Sequence, residues 1–131
     1  MNSKYLHNFA IRLTPTFETF LSVLSLEGLS SNKKRYLRLR AWWAGNDSRR
    51  KKPIAMSVIE RENILALGEL LDETNSNDLI MKAEIYREAE DFEKAKALLE
   101  KIETTDLVKA VAFMKKHIEQ KDPFVRKLVF E

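Results

Sequence analysis

A chain of 131 residues that holds three glycines and three prolines has few places to reverse direction tightly. A sheet protein of this length needs turn residues at short intervals, so the scarcity directs the chain toward helices. The start and stop signals agree. Thr14-Pro15 joins a capping hydroxyl to a proline at a first helical position, and Phe17, Phe20, Leu21 and Leu24 follow at helical spacing until Gly28. A second helix is predicted from Ser31 to Gly45, followed by a polar, basic loop over 46–56. Ser57 and Glu60 form the S-x-x-E capping pattern of a third helix, with Ile59, Leu67, Leu70 and Leu71 on its buried face and an end at Asp72 to Asn75. Asn77 to Glu103 reads as two helices joined by a tight turn at Glu90-Asp91. A last helix starts at Thr105 or Asp106, with Leu107, Val111, Met114 and Ile118 on one stripe. Asp122-Pro123 is another cap-and-start pair, opening a short apolar tail with Phe124, Val125, Leu128, Val129 and Phe130. The expected fold is all-α, five to six helices in a single domain over 1–131.

At 44% apolar and 33% charged residues, the chain can bury a core and stay soluble. It has no cysteine, which excludes disulfides and thiolate metal sites and allows a reducing compartment. No span approaches the ~18 apolar residues of a membrane helix. The N-terminal stretch is broken by Arg12, Pro15 and Glu18 and lacks the pattern of a signal peptide, so it reads as mature protein and the chain as cytoplasmic. The net charge of +3 hides an asymmetry: residues 1–52 carry +8 and residues 53–131 carry −5. Such a dipole fits either a polyanion-facing front half or two halves that attract each other.

Within the acidic half, Leu79, Ala83 and Tyr86 place a large, a small and an aromatic residue along one helix. Asp91, Phe92, Ala95, Leu99 and Ile102 continue that spacing across a turn. Residues 78–102 on these grounds resemble a single tetratricopeptide repeat, a helical hairpin whose small residues permit close helix approach. Glu90 stands where the repeat carries a positive-φ glycine, and the terminal proline is missing, replaced by Thr104-Thr105-Asp106. The resemblance implies stacked antiparallel hairpins, a short solenoid, and a role in protein recognition. Together with the upstream RLRAWWAGND, the whole chain resembles small uncharacterised bacterial helical proteins, a likeness that implies no activity.

The stretch from Lys33 to Pro53 holds nine Lys or Arg, one acid and two adjacent tryptophans. On a helical wheel Tyr36, Leu37, Leu39, Ala41, Trp43 and Ala44 fall on one broad apolar arc, and Lys34, Arg35, Arg38 and Trp42 on the other. This assigns Trp43, with Phe92 of the repeat-like turn, to the core. Trp42 is expected among exposed cations, and Arg35, Arg38 and Trp42 should be dispensable for folding. Arg40 lies inside the apolar arc and needs a mate, either Asp47 or an acid on a neighbouring helix; the alternative is the floor of an anion groove. Lys34, Arg35, Arg38 and Trp42, with Arg49, Arg50, Lys51 and Lys52 beyond, form the expected partner-binding set. It suits an acidic protein surface, or the phosphates and bases of a nucleic acid, or the chain's own acidic half; a plain solvated face is the bland reading.

Catalytic signals are lacking. His7 and His117 sit in separate elements with no metal-ligand spacing, and His117 reads as a surface residue. Ser30, Ser31 and Ser57 read as caps, and the carboxylates fit helical salt-bridge patterning. The expectation is a non-enzymatic protein-interaction module with no cofactor or metal; the alternative is nucleic-acid binding through the basic stretch over 33–52.

Overall fold

The structure, a computed structural model, describes residues 15–50, 52, 54–103 and 107–126. Short polar side chains set its helix starts. Thr16 opens α1 (Phe17–Leu24): its hydroxyl accepts from the Thr19 amide at 3.3 Å, and its own amide donates to Thr19 Oγ1 at 3.2 Å. The predicted cap, Thr14, lies outside the described residues. Ser30 caps α2 (Ser31–Arg49), Ser57 caps α3 (Val58–Gly68), Asn75 caps α4 (Ser76–Glu88) and Asp91 caps α5 (Phe92–Glu100). In each, the side-chain oxygen accepts from the amide three residues on, satisfying one donor that the first helical turn leaves open. α6 (Val108–Glu119) follows Leu107 without a side-chain cap. Its predicted start at Thr105 or Asp106 lies outside the described residues. The fold is all-α, with six helices and no strand among the described residues.

Three predicted boundaries are corrected. α2 runs through Gly45 to Arg49, so the front of the predicted loop is helix. Asn46 and Arg49 hold it there, because Arg49 donates to Asn46 Oδ1 at 2.7 Å and reaches Glu60 on α3. Gly45 is buried inside the helix instead of ending it, and a Cβ there would collide with the Glu60 carboxylate. α3 stops at Gly68, before the predicted Asp72–Asn75, where the Asp72 carboxylate accepts the Thr74 amide and hydroxyl at 2.9 and 2.6 Å and turns the chain. After Asp122, residues 123–126 are not helical: the Asp122 carboxylate accepts the Phe124 amide at 3.0 Å in a similar turn. Leu128, Val129 and Phe130 lie outside the described residues.

Successive helices pack on one another, and α4 also touches α6. Two apolar clusters share α4. Its Leu79 and Ala83 meet Ala95, Leu98 and Leu99 of α5 and Met114 and Ile118 of α6, with Phe92 packed at the edge. Its Ile85 and the following Ala89 meet Trp42 of α2 and Ile64 and Leu67 of α3. Ala83 and Ala95 have no exposed surface, and their small side chains let α4 and α5 approach closely.

The α4–α5 turn keeps the backbone form of the missing glycine. Glu90 has φ +66°, and the Asp91 amide donates to the Tyr86 carbonyl at 2.8 Å, closing the helix end. A side chain in that left-handed conformation is strained by about 1 kcal/mol or more. Glu90→Gly is therefore expected to raise stability by about 1 kcal/mol, read as a higher denaturation midpoint at unchanged m-value.

Candidate partner-binding surface

Burial along α2 reverses the expectation from hydrophobicity. Ala41, Trp42, Gly45, Asn46 and Arg49 are buried, on the same arc as Arg35 and Arg38. Trp42 is 6% exposed and Trp43 49%. The charged arc faces α3 and α4, and the apolar arc faces the short α1.

Partners on α3 and α4 make this inversion possible. Arg35 forks onto Asp78 with two bonds of 2.9 and 2.8 Å. Arg38 donates to Asn63 Oδ1, and Asn63 Nδ2 donates back to the Arg38 carbonyl, each at 3.1 Å. Trp42 Nε1 donates to Glu88 Oε1 at 3.0 Å. Arg49, itself buried, binds Asn46 and Glu60. Four of the predicted site residues, Arg35, Arg38, Trp42 and Arg49, thus belong to a polar seam between helices and not to a free stripe. Lys34, Arg50 and Lys52 are exposed, with Arg50 paired to Asp47 at 2.9 Å. Lys51 lies outside the described residues.

The seam perturbs its acids in opposite senses. The hydrogen-bonded Arg35 holds the Asp78 carboxyl below the usual carboxylate range, against the effect of burial. Burial pushes Glu88 up to about 7, reinforced by the nearby Glu84 charge and opposed by the Trp42 N–H and the Arg87 guanidinium. Arg87, 1% exposed, is bound through both Nε and Nη2 to Glu84, at 2.6 and 3.0 Å, and also donates to the Asp122 carbonyl. Asp122 in turn meets His117 Nδ1 at 3.1 Å and Arg126 Nε at 2.7 Å. His117 is therefore no surface residue: its side chain is 14% exposed and its ring lies 4.5 Å from Phe113.

The outer arc of α2 forms the surface. Trp43, Ala44, Phe17, Phe20, Leu21 and Ile59 line a trough of about 1050 Å³ between α1, α2 and α3. Arg40 also lines it, but with neither of the expected acid mates. Its guanidinium lies over the Phe20 ring at 5.6 Å and the Tyr36 ring at 5.8 Å, and donates to the Tyr36 hydroxyl at 3.2 Å. Ile59, expected in the core, is 59% exposed at the trough wall.

Sequence reasoning missed Asp78, Asn63 and Glu88 as receivers of the basic arc. A signal existed on α4, where Asp78, Lys82, Arg87 and Glu88 surround the apolar positions so closely that any buried packing has to pair them. Among the described residues, no group of three His, Asp or Glu side chains is placed to hold a metal ion. No helix among them is long and apolar enough to cross a membrane. Compared with known proteins, the chain matches no family model, no curated protein and no solved structure.

Two outcomes distinguish this geometry from the reversed wheel. Trp42→Ala is expected to lose about 3–5 kcal/mol in chemical denaturation, while Trp43→Ala loses about 1 kcal/mol or less. Arg38→Glu, which strands the buried Asn63, is expected to lower the melting temperature by the equivalent of about 1–3 kcal/mol. Glu88 adds a pH signature. Its folded pKa of about 7 lies above its ordinary 4.5, so its contribution to stability is complete below 4.5 and lost as pH rises through 7. The stability difference between the parent and Glu88→Gln should therefore shift against the parent across that window, measured by urea titration at a series of pH values.

Proposed function

We propose that the protein is a non-enzymatic interaction module that receives an apolar-anchored segment of another protein in the trough beside Trp43. The observation that carries this reading is the inverted α2: Arg35, Arg38, Trp42 and Arg49 turn toward α3 and α4, and Trp43 and Tyr36 are presented outside. Trp43, 49% exposed, lines the groove, and Tyr36, 54% exposed, holds Arg40 there; Asp47 pairs with Arg50 and Glu60 with Arg49. Among the described lining residues Arg40 is the one cation, and it lies against two rings, which gives a polyanion little to bind, whereas aromatic side chains in an apolar groove are what partner helices and short segments anchor against. For the nucleic-acid alternative, Lys33, Lys34, Arg40, Arg50 and Lys52 are the exposed cations among the described residues of the 33–52 stretch, and Arg40 and Arg50 are already engaged by Tyr36 and Asp47. The α4–α5 hairpin supports kinship with tetratricopeptide repeats through Ala83, Ala95 and the positive-φ turn, and a cytoplasmic setting belongs to the same reading.

The test places a photo-crosslinking amino acid at position 43, identifies what it captures in cells, and titrates the purified product against the chain. A discrete protein that binds the parent and loses about tenfold or more in affinity to Trp43→Glu is expected. Crosslinking to nucleic acid, to a second copy of the chain, or to proteins whose purified forms bind Trp43→Glu unchanged would overturn the reading.

A further inference from the structure

A second concavity of 350 Å³ opens elsewhere on the molecule and shares no lining residue with the trough. It is lined by Glu88 and Ala89 at the end of α4, by Ile54, Ala55 and Met56 of the segment before α3, and by Pro123, Phe124 and Val125 of the segment after α6. Arg49, Lys52 and Arg61 also line it, the Arg49 guanidinium being held by Asn46 and Glu60. Arg61 uses Nε to hold the Ala89 carbonyl at 3.1 Å. Its two terminal nitrogens, and the Lys52 ammonium, have no acceptor among the described residues.

Mixed apolar walls with a few convergent polar groups, at the small end of pocket volumes, are the mark of a small-molecule site. The cations select an anion, and the guanidinium of Arg61 offers the planar fork that matches a carboxylate. Glu88 and Glu90 also line the cleft and oppose a doubly charged head such as a phosphate monoester. The raised pKa of Glu88 lessens that opposition toward a single charge near neutral pH. Phe124 and Met56 give the rest of the ligand an apolar surface to cover.

We propose that this cleft binds a small monocarboxylate whose apolar body lies between Met56 and Phe124 and whose carboxylate is held by Arg61 and Lys52. The site shares no lining residue with the trough, although the Arg49–Glu60 pair stands between them.

The probe is 4-phenylbutyrate, compared with acetate, with the neutral 4-phenylbutyramide and with phenyl phosphate. Binding is read from amide shifts in ¹H–¹⁵N spectra of the full chain. Saturable shifts are expected at Ala55, Met56, Ala89 and Phe124 and not at Phe17 or Ile59. Phenylbutyrate should bind about tenfold or more tightly than each comparison compound, the scale of one charge-assisted contact or one buried apolar body. Arg61→Gln and Lys52→Gln should each weaken it by about tenfold, with Lys34→Gln as an unaffected control. Lys52 is exposed and its one hydrogen bond among the described residues runs from its backbone amide to the Arg49 carbonyl, which the variant keeps, so Lys52→Gln reports on binding even if loss of the Arg61–Ala89 contact disturbs folding. The proposal is overturned by any of four results: no saturable shift at about 10 mM phenylbutyrate; equal binding of acetate or the amide; tighter binding of phenyl phosphate; or full affinity in Lys52→Gln.

Discussion

α4 is enclosed on nearly every side, and this enclosure organises the rest of the molecule. Leu79 and Ala83 serve one apolar cluster and Ile85 the other, yet the same thirteen-residue helix carries Asp78, Lys82, Arg87 and Glu88, each less than a tenth exposed. Four ionisable side chains cannot be taken from water unless each finds a partner. Asp78 takes Arg35, Lys82 takes Glu73, Arg87 takes Glu84 and the Asp122 carbonyl, and Glu88 takes Trp42. Those partners come from α2, from the loop before α4, from α4 itself and from the chain beyond α6. The pairing therefore fixes which elements lie against α4 and in what register. Such pairs add little net stability compared with apolar packing, but breaking one leaves a buried charge, so they discriminate against shifted arrangements.

The charge asymmetry of the chain follows from this constraint. The front half carries +8 and the rest −5, and the division falls between α2 and α3. Arg35–Asp78, Arg49–Glu60 and Trp42–Glu88 all cross that division. Of the alternatives open at the level of composition, mutual attraction of the halves is the one these contacts realise. Positive charge clustered in sequence is here partly dispersed in space: Arg35, Arg38 and Arg49 turn to acceptors on other helices, and Arg40 and Arg50 to Tyr36 and Asp47 of α2 itself.

The parts of the fold set by local chemistry were legible in the sequence. Ser30 and Ser57 cap helices because a short oxygen-bearing side chain at that point satisfies a free amide whatever surrounds it. Leu79, Ala83, Ala95 and Leu99 gave the hairpin, since spacing alone brings them to one seam. The face of α2 was not legible for the opposite reason. A wheel ranks Arg35 and Arg38 as outward because it knows their solvation cost but not that Asp78 and Asn63 stand across from them. It ranks Trp43 inward, although what lies over that arc is α1, a helix of eight residues none of which is buried. Burial is a property of the facing element, and for α2 that element was separated by many residues in sequence.

The inversion also explains why the surface has its character. A helix with one apolar and one charged arc ordinarily buries the first. When the charged arc is claimed by α3 and α4, the apolar arc of α2 is left with the thinner cover, and Trp43, Tyr36 and the α1 aromatics remain partly in water. Arg40 reduces that exposure by lying across Phe20 and Tyr36, which covers ring surface while keeping its charge solvated. It cannot cover Trp43, whose ring stays at the trough wall beside Ile59. The exposed apolar surface is thus the direct consequence of the buried polar seam: the same rotation of α2 that lets Trp42 donate to Glu88 turns its neighbour outward.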